Sequence, residues 1–449
     1  MPRTAKTSLS QPVFREPVFN EATQTVDPSG FLVPHPSDAA LFKQINNLLT
    51  KDVVAFKKST VKDGEVMQLS DAYGDHGPDL IKQITAAKKI IFHALGDSGA
   101  SVSGKKFANE LNVADQVTMD CHTSDQANHP AFLFHLGDVV YDFGEPQYYY
   151  DQFYDPFRNY PLPIFAIPGN HDSFITPNTP VGLQPLTTFM RQFCSGTLAI
   201  TPEAKSLHRT AMTQPGVYFT LDAPFVRIIG LFSNALEDPG VISSQNGKWK
   251  TVPDFQLPYL KAQLQKIKDD KYKGAVILAV HHPPFSYSPP PAGAGAAVNH
   301  SSSSDMLRQI DTICSQVGVY PHAFLSGHAH NYQRYTRTVK FNGKEFDVPF
   351  IVCGDGGHNV NRVVQGSKGH PAVEPNNGVS VDYLEKNPAV SVGGLLLEKY
   401  DDTHYGYLRI TVDAEQLRIG FHQVGASTLA QSRFDMVTVE LDSHTMVSN

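Results

Sequence analysis

From Lys88 onward, apolar and polar positions fall into blocks that predict strands and helices in turn. The apolar runs at 89–95, 131–137 and 163–167 have the length and the aliphatic and aromatic content of buried strands. Between them, 105–116 and the aromatic-rich 146–157 carry helical spacing. The runs 217–221 and 225–231 flank Asp222, Ala223 and Pro224 and predict a hairpin opening a second sheet. Residues 256–267 follow as a helix with Leu257, Leu260, Leu264 and Ile267 on one face. Next come a strand at 275–280, a helix near 304–316 and a strand at 322–326. The rest reads as β: 335–341, 348–353, 394–399, 406–412, 415–422 and 434–441. Strand–helix alternation closed by a run of strands predicts an α/β chain with two mixed β-sheets flanked by helices, a four-layer α/β/β/α sandwich.

Three stretches depart from that rhythm. Residues 1–86 read as a mostly irregular amino-terminal extension, with a proline-rich arm at 12–36 and helical spacing at Leu41, Ile45, Leu48 and Leu49. Residues 286–305 hold Pro289, Pro290 and Pro291, alanine–glycine repeats and a run of four serines at 301–304, a composition that cannot fold alone and is expected to form a lid. Residues 359–388 are a second long polar excursion.

Charge narrows the function classes. A net charge of −7 gives no electrostatic case for nucleic acid as a required partner. No run approaches the roughly 18 apolar residues that span a membrane. The first twenty residues lack a charged start followed by an apolar core, so the expected location is cytoplasmic, or secreted or periplasmic if a leader is missing. Cys121, Cys194, Cys314 and Cys353 form no C-x-x-C pair, which argues against a thiolate zinc site and for buried thiols.

Five apolar runs end in metal-binding side chains. They are His93-Ala94-Leu95-Gly96-Asp97, Phe134-His135-Leu136-Gly137-Asp138, Phe165-Ala166-Ile167-Pro168-Gly169-Asn170-His171-Asp172, Leu278-Ala279-Val280-His281-His282 and Phe324-Leu325-Ser326-Gly327-His328-Ala329-His330. Strand ends at one sheet edge converge on one pocket. Asp97, Asp138, Asn170, His281, His328 and His330 then supply oxygen and nitrogen ligands without a thiolate, suited to iron, zinc or manganese. His328 and His330 can address two adjacent metals, and Asp138 has two oxygens with which to bridge them. Two ions about 3.5–4 Å apart clamp a phosphoryl group and generate a hydroxide nucleophile. His171 is placed as a general acid, with Asp172 next to it to fix its tautomer.

In this order the five blocks resemble the calcineurin-like metallophosphoesterase superfamily, and within it the purple acid phosphatases. Most of the superfamily has Asp-x-His in the first block, whereas Ser98 and Gly99 follow Asp97 here, and Tyr141 can replace the missing imidazole. In that family the tyrosine is a phenolate on ferric iron, which suits a hard trivalent ion because a phenol of pKa about 10 must lose its proton. The resemblance makes 87–449 the catalytic domain. It implies Fe3+ held by Asp97, Asp138, Tyr141 and His330, and Fe2+, Zn2+ or Mn2+ held by Asp138, Asn170, His281 and His328. It also implies substrate contacts from Asn170, His171 and His300.

Two carboxylates and a phenolate give about three negative charges against five from a trivalent–divalent pair, so the centre attracts a dianionic ester. The expected activity is hydrolysis of small-molecule phosphate monoesters by in-line attack of a metal-bound hydroxide, with His171 protonating the leaving group. The alternative is a phosphodiesterase for cyclic nucleotides or lipid headgroups with two divalent ions, and behind it a catalytically silent scaffold.

Overall fold

A computed structural model describes residues 65–447 apart from 101–103, 142–143, 174–185, 235–238, 251, 287–303, 364–378, 381–388 and 426–427. In chain order the elements are β1 Val66–Gln68, α1 Gly77–Ala87, β2 Lys89–Leu95, α2 Gly104–Asp120, β3 Leu133–His135, β4 Ile164–Ala166 and α3 Thr187–Phe193. Then come β5 Phe219–Ala223, β6 Val226–Leu231, α4 Gln256–Asp269, β7 Ala275–Val280, α5 Ser304–Val317 and β8 Ala323–Ser326. The last third is β9 Tyr332–Phe341, β10 Lys344–Cys353, β11 Val379–Ser380, β12 Ser391–Asp401, β13 Gly406–Asp413, β14 Gln416–Gln423, α6 Leu429–Ser432, β15 Arg433–Glu440 and β16 Thr445–Val447.

Among the described residues one sheet has the order β1-β5-β6-β7-β8-β10-β9-β12-β11 and the other β16-β15-β14-β13-β2-β3-β4. Both are mixed. The strands β6, β7, β8 and β10 run parallel in the first, and β2, β3 and β4 in the second, with antiparallel partners outside them. The sheets face each other through one apolar core that joins Phe92, Phe134 and Phe165 to Phe219, Ile228 and Ile277. On the outer face of the larger sheet, α4 and α5 bury Leu260, Leu264, Met306 and Ile310 against Val276, Leu278 and Val280. On the other side α1 and α2 lie against β2 and β13. These are the four layers expected from the alternation.

Two buried groups pin α5 to the larger sheet. Arg337 on β9 donates through Nη1 and Nη2 to Asp311 at 3.0 and 2.7 Å, and Tyr320 donates to the same carboxylate at 2.7 Å. Both members of the pair are fully buried. Removing one partner strands the other charge, so Asp311→Ala is expected to cost about 3–5 kcal/mol in urea unfolding. A loss below about 1 kcal/mol, the value of an exposed pair, would contradict this account of α5.

Some boundaries differ from expectation, for physical reasons. β1 pairs in parallel with β5, which ties the end of the 1–86 segment to the larger sheet. The aromatic stretch 146–157 is not an α-helix. It forms a 3-10 turn at Pro146–Tyr148 and a π-helical turn at Tyr150–Tyr154, whose five side chains are all buried, leaving no polar face. The helical spacing within 38–49 and nearly all of 286–305 and 359–388 lie outside the described residues. All four cysteines are free and buried.

Candidate metal centre

β7 shows how the sequence aims a ligand. Ala275, Ile277 and Ala279 face the core between the sheets, while Val276, Leu278 and Val280 face α4 and α5. Continued alternation sends His281 inward and His282 outward. Accordingly, His281 Nδ1 reaches the opposite sheet and donates to Leu136 O at 2.8 Å. His282 is held behind it: Ser233 Oγ accepts from the His282 amide at 3.1 Å and shares a hydrogen bond of 2.7 Å with its Nδ1.

β2, β3 and β8 deliver their side chains through left-handed exits. Asp97, Asp138 and His328 have φ of 57°, 56° and 66°. Such conformations cost of order 1–3 kcal/mol each and persist only where the surroundings over-determine them. The turn after β3 also needs Gly137, at φ 103°, because a Cβ there would lie 2.6 Å from His281 Nδ1. That exit is why the strand expected at 131–137 stops at His135.

Two groups of side chains meet at Asp138. In one, His281 Nε2 is 3.1 Å from Asn170 Oδ1 and 3.3 Å from Asp138 Oδ2, and His328 Nδ1 is 3.1 Å from the same Asn170 oxygen. In the other, the Tyr141 hydroxyl is 3.0 Å from Asp97 Oδ1 and 3.1 Å from His330 Nε2, which is itself 3.4 Å from Asp97 Oδ1. Asp138 also lies beside the Tyr141 hydroxyl. All seven side chains named as ligands are therefore brought together, with Asp138 between the two groups. His300 lies outside the described residues.

The donor set fits cations. His281 spends its Nδ1 proton on a carbonyl, so in the neutral ring the Nε2 lone pair points at the oxygens of Asn170 and Asp138. Among the described residues, Asp138 Oδ2 is buried with no hydrogen-bond partner. Acceptor facing acceptor inside a protein is satisfied by a proton or a metal ion, and the two compete for the same lone pair. Burial opposes a second proton on His281, but the Asp138 and Asp97 carboxylates outweigh it and raise the imidazole to about 9. Burial, followed by Asp138 and Asp97, pushes the Tyr141 phenol well above its ordinary range.

The surrounding loops are braced by groups that the sequence did not reveal. Asp172 is not the partner of the His171 ring. Its carboxylate instead accepts from the amides of Val139 (3.0 Å), Val140 (3.1 Å) and Gly169 (2.9 Å), clamping the loops that carry Asp138 and Asn170. Within the tight turn His171–Ser173 the carboxylate is taken up by these three amides. His171 donates its backbone amide to Asp138 Oδ1 at 2.9 Å, and its ring lies 4.3 Å from that of Tyr141. Gln152, from the π-helical turn, accepts from Tyr141 N at 2.9 Å and donates to Tyr141 O at 2.8 Å. Arg334 pairs with Asp435 at 2.6 and 3.1 Å.

Residues 92–332, from β2 to the start of β9, match the family model of the calcineurin-like phosphoesterases. The chain belongs to that family. Membership implies a two-metal centre, and the candidate ligands all lie within the matched span. Among solved structures this calcineurin-like phosphoesterase is similar to a purple acid phosphatase from yellow lupin (Lupinus luteus) seeds, with 15% identity and a TM-score of 0.49 over 78% of this chain and 54% of that one. It thus spans about half the length of the lupin protein. It is also similar to PhoD, with 13% identity and a TM-score of 0.45 over 80% of this chain and 71% of that one. A third similar structure is the anchor in the inner membrane complex of Plasmodium, with 12% identity and a TM-score of 0.44 over 79% of this chain and 88% of that one. Comparison with curated proteins finds no match. Among the described residues no helix is long and apolar enough to cross a membrane.

Proposed function

We propose that this protein is a metal-dependent phosphomonoesterase of the purple acid phosphatase type, acting on small-molecule phosphate esters. One observation carries the branch assignment: the Tyr141 hydroxyl lies 3.0 Å from Asp97 and 3.1 Å from His330, while Gly99 stands where the Asp-x-His spacing would put a histidine. A phenol beside two carboxylates ionises only for a cation that outweighs them, which favours ferric iron. Asp97, Asp138, Tyr141 and His330 would hold that ion, and Asp138, Asn170, His281 and His328 a divalent iron, zinc or manganese. Once bound, the ions supply positive charge to the phosphoryl oxygens and an activated water as nucleophile.

The chain's own residues do the rest. Asn170 and His171 border the substrate. His171 donates the proton that the departing alkoxide needs, while its backbone amide keeps Asp138 in place. Asp172 acts at one remove by fixing the two loops.

Turnover of 4-nitrophenyl phosphate and bis(4-nitrophenyl) phosphate by the iron-loaded protein tests the reading. Preference for the monoester by at least about tenfold in kcat/KM is expected, because only the monoester presents a dianion to the residual positive charge. Preference for the diester would favour the phosphodiesterase reading, and no turnover of either would favour a silent scaffold.

A further inference from the structure

Gln152 fixes the backbone of Tyr141, yet the ring can still turn about two side-chain bonds, and the second of these is soft. Something must hold the ring plane if its oxygen is to stay beside Asp97 and His330. His358, which no sequence motif singled out, lies flat against the Tyr141 ring, with centroids 3.6 Å apart and planes within 12°. It also meets the edge of His330 at 5.2 Å and 71°.

The imidazole is itself held. A carbonyl can only accept, so the 2.6 Å contact between Nδ1 and Gly99 O places a proton on Nδ1. The His358 amide donates to Asp97 O at 3.0 Å, and the Gly356 amide to Gly96 O at 3.0 Å, joining the loop after β10 to the loop after β2. At Gly357, with φ 150°, a Cβ would come within 2.8 Å of Ser98 O and Glu110 Cα, so glycine alone permits this approach. His358 is 7% exposed, which makes it a wall of the site as well as a plate.

We infer that His358 is a positioning residue for Tyr141, holding the phenol plane toward Asp97 and His330 and keeping water off that face. The inference rests on Tyr141 serving as a phenolate ligand to ferric iron. Water that reaches a phenolate hydrogen-bonds to it and lowers its donor level, so loss of the plate moves the tyrosinate-to-iron band to shorter wavelength. A ligand held less firmly also releases its metal faster; loss of an outer partner commonly costs about 10–100-fold in metal affinity.

The test compares the full-length, iron-loaded wild type with His358→Phe, which keeps a flat ring, and His358→Gln, which keeps a donor but no ring. His358→Phe is expected to match the wild type in band position and in iron release to a chelator. His358→Gln is expected to shift the band to shorter wavelength and to release iron about 10–100-fold faster. Circular dichroism of each protein separates loss of fold from loss of the plate, and His358→Asn gives the same reading if His358→Gln does not fold. Unchanged behaviour in His358→Gln, or equal damage in His358→Phe, overturns the inference. A wild type that binds iron without a visible band instead shows that the phenolate reading has failed, and the inference falls with it.

Discussion

Asp138→Asn is expected to leave the fold intact and to cost the protein its metal ions and nearly all of its turnover. Asparagine tolerates the left-handed backbone at this position, and its amide oxygen can still accept from the His171 amide. What changes is the charge. Asp138 Oδ2 is a buried oxygen without a hydrogen-bond partner among the described residues, 3.3 Å from His281 Nε2, and its carboxylate also lies beside the Tyr141 hydroxyl. Burial works against its charge, but His281 and His171 hold the carboxyl well below the usual carboxylate range, so aspartate is the ionised form that a metal needs. Replacing it with a neutral amide weakens both metal positions together. The fall in metal affinity should exceed the roughly 10–100-fold that follows loss of an outer partner. Metal content after gel filtration, read beside a thermal melt, checks this. A variant that folds and keeps two ions per chain would show that Asp138 does not bridge.

His171→Ala is expected to do the opposite, keeping the metals and losing the chemistry. The contact from residue 171 to Asp138 runs through the backbone amide, so it survives removal of the ring. A general acid contributes about 10²–10⁴ in rate. The loss should be largest for alkyl phosphates, whose alkoxide leaves only with a proton, and smallest for 4-nitrophenyl phosphate, whose leaving group needs little help. The difference between the two substrates separates an acid from a residue that merely packs on Tyr141. Full turnover of an alkyl phosphate by a metal-replete variant would end the role.

The strand ends were legible because each apolar run is short, buried and stopped by a ligand-type residue. β2 and β7 fall on the residues the pattern predicts, and the residues along β7 alternate between the two sides of the sheet. Bracing groups were not legible, since they come from remote positions and use ordinary side chains. Gln152 reads as a helix residue and serves as a clamp on Tyr141. His358 sits in a glycine-rich turn with no periodicity to mark it. Asp172 misled because its carboxylate is taken up by the amides of Val139, Val140 and Gly169. β1 was missed because it has only three residues, too few to show a period.

The central claim is that Tyr141 is a ligand to ferric iron in a two-metal centre. Metal analysis combined with a visible spectrum of the purified protein, taken before any reductant is added, tests it most directly. The expected result is two ions per chain, iron among them, with a broad absorption band in the green to yellow that Tyr141→Phe abolishes. A protein that holds two manganese or zinc ions and stays colourless after mild oxidation and iron loading would contradict it.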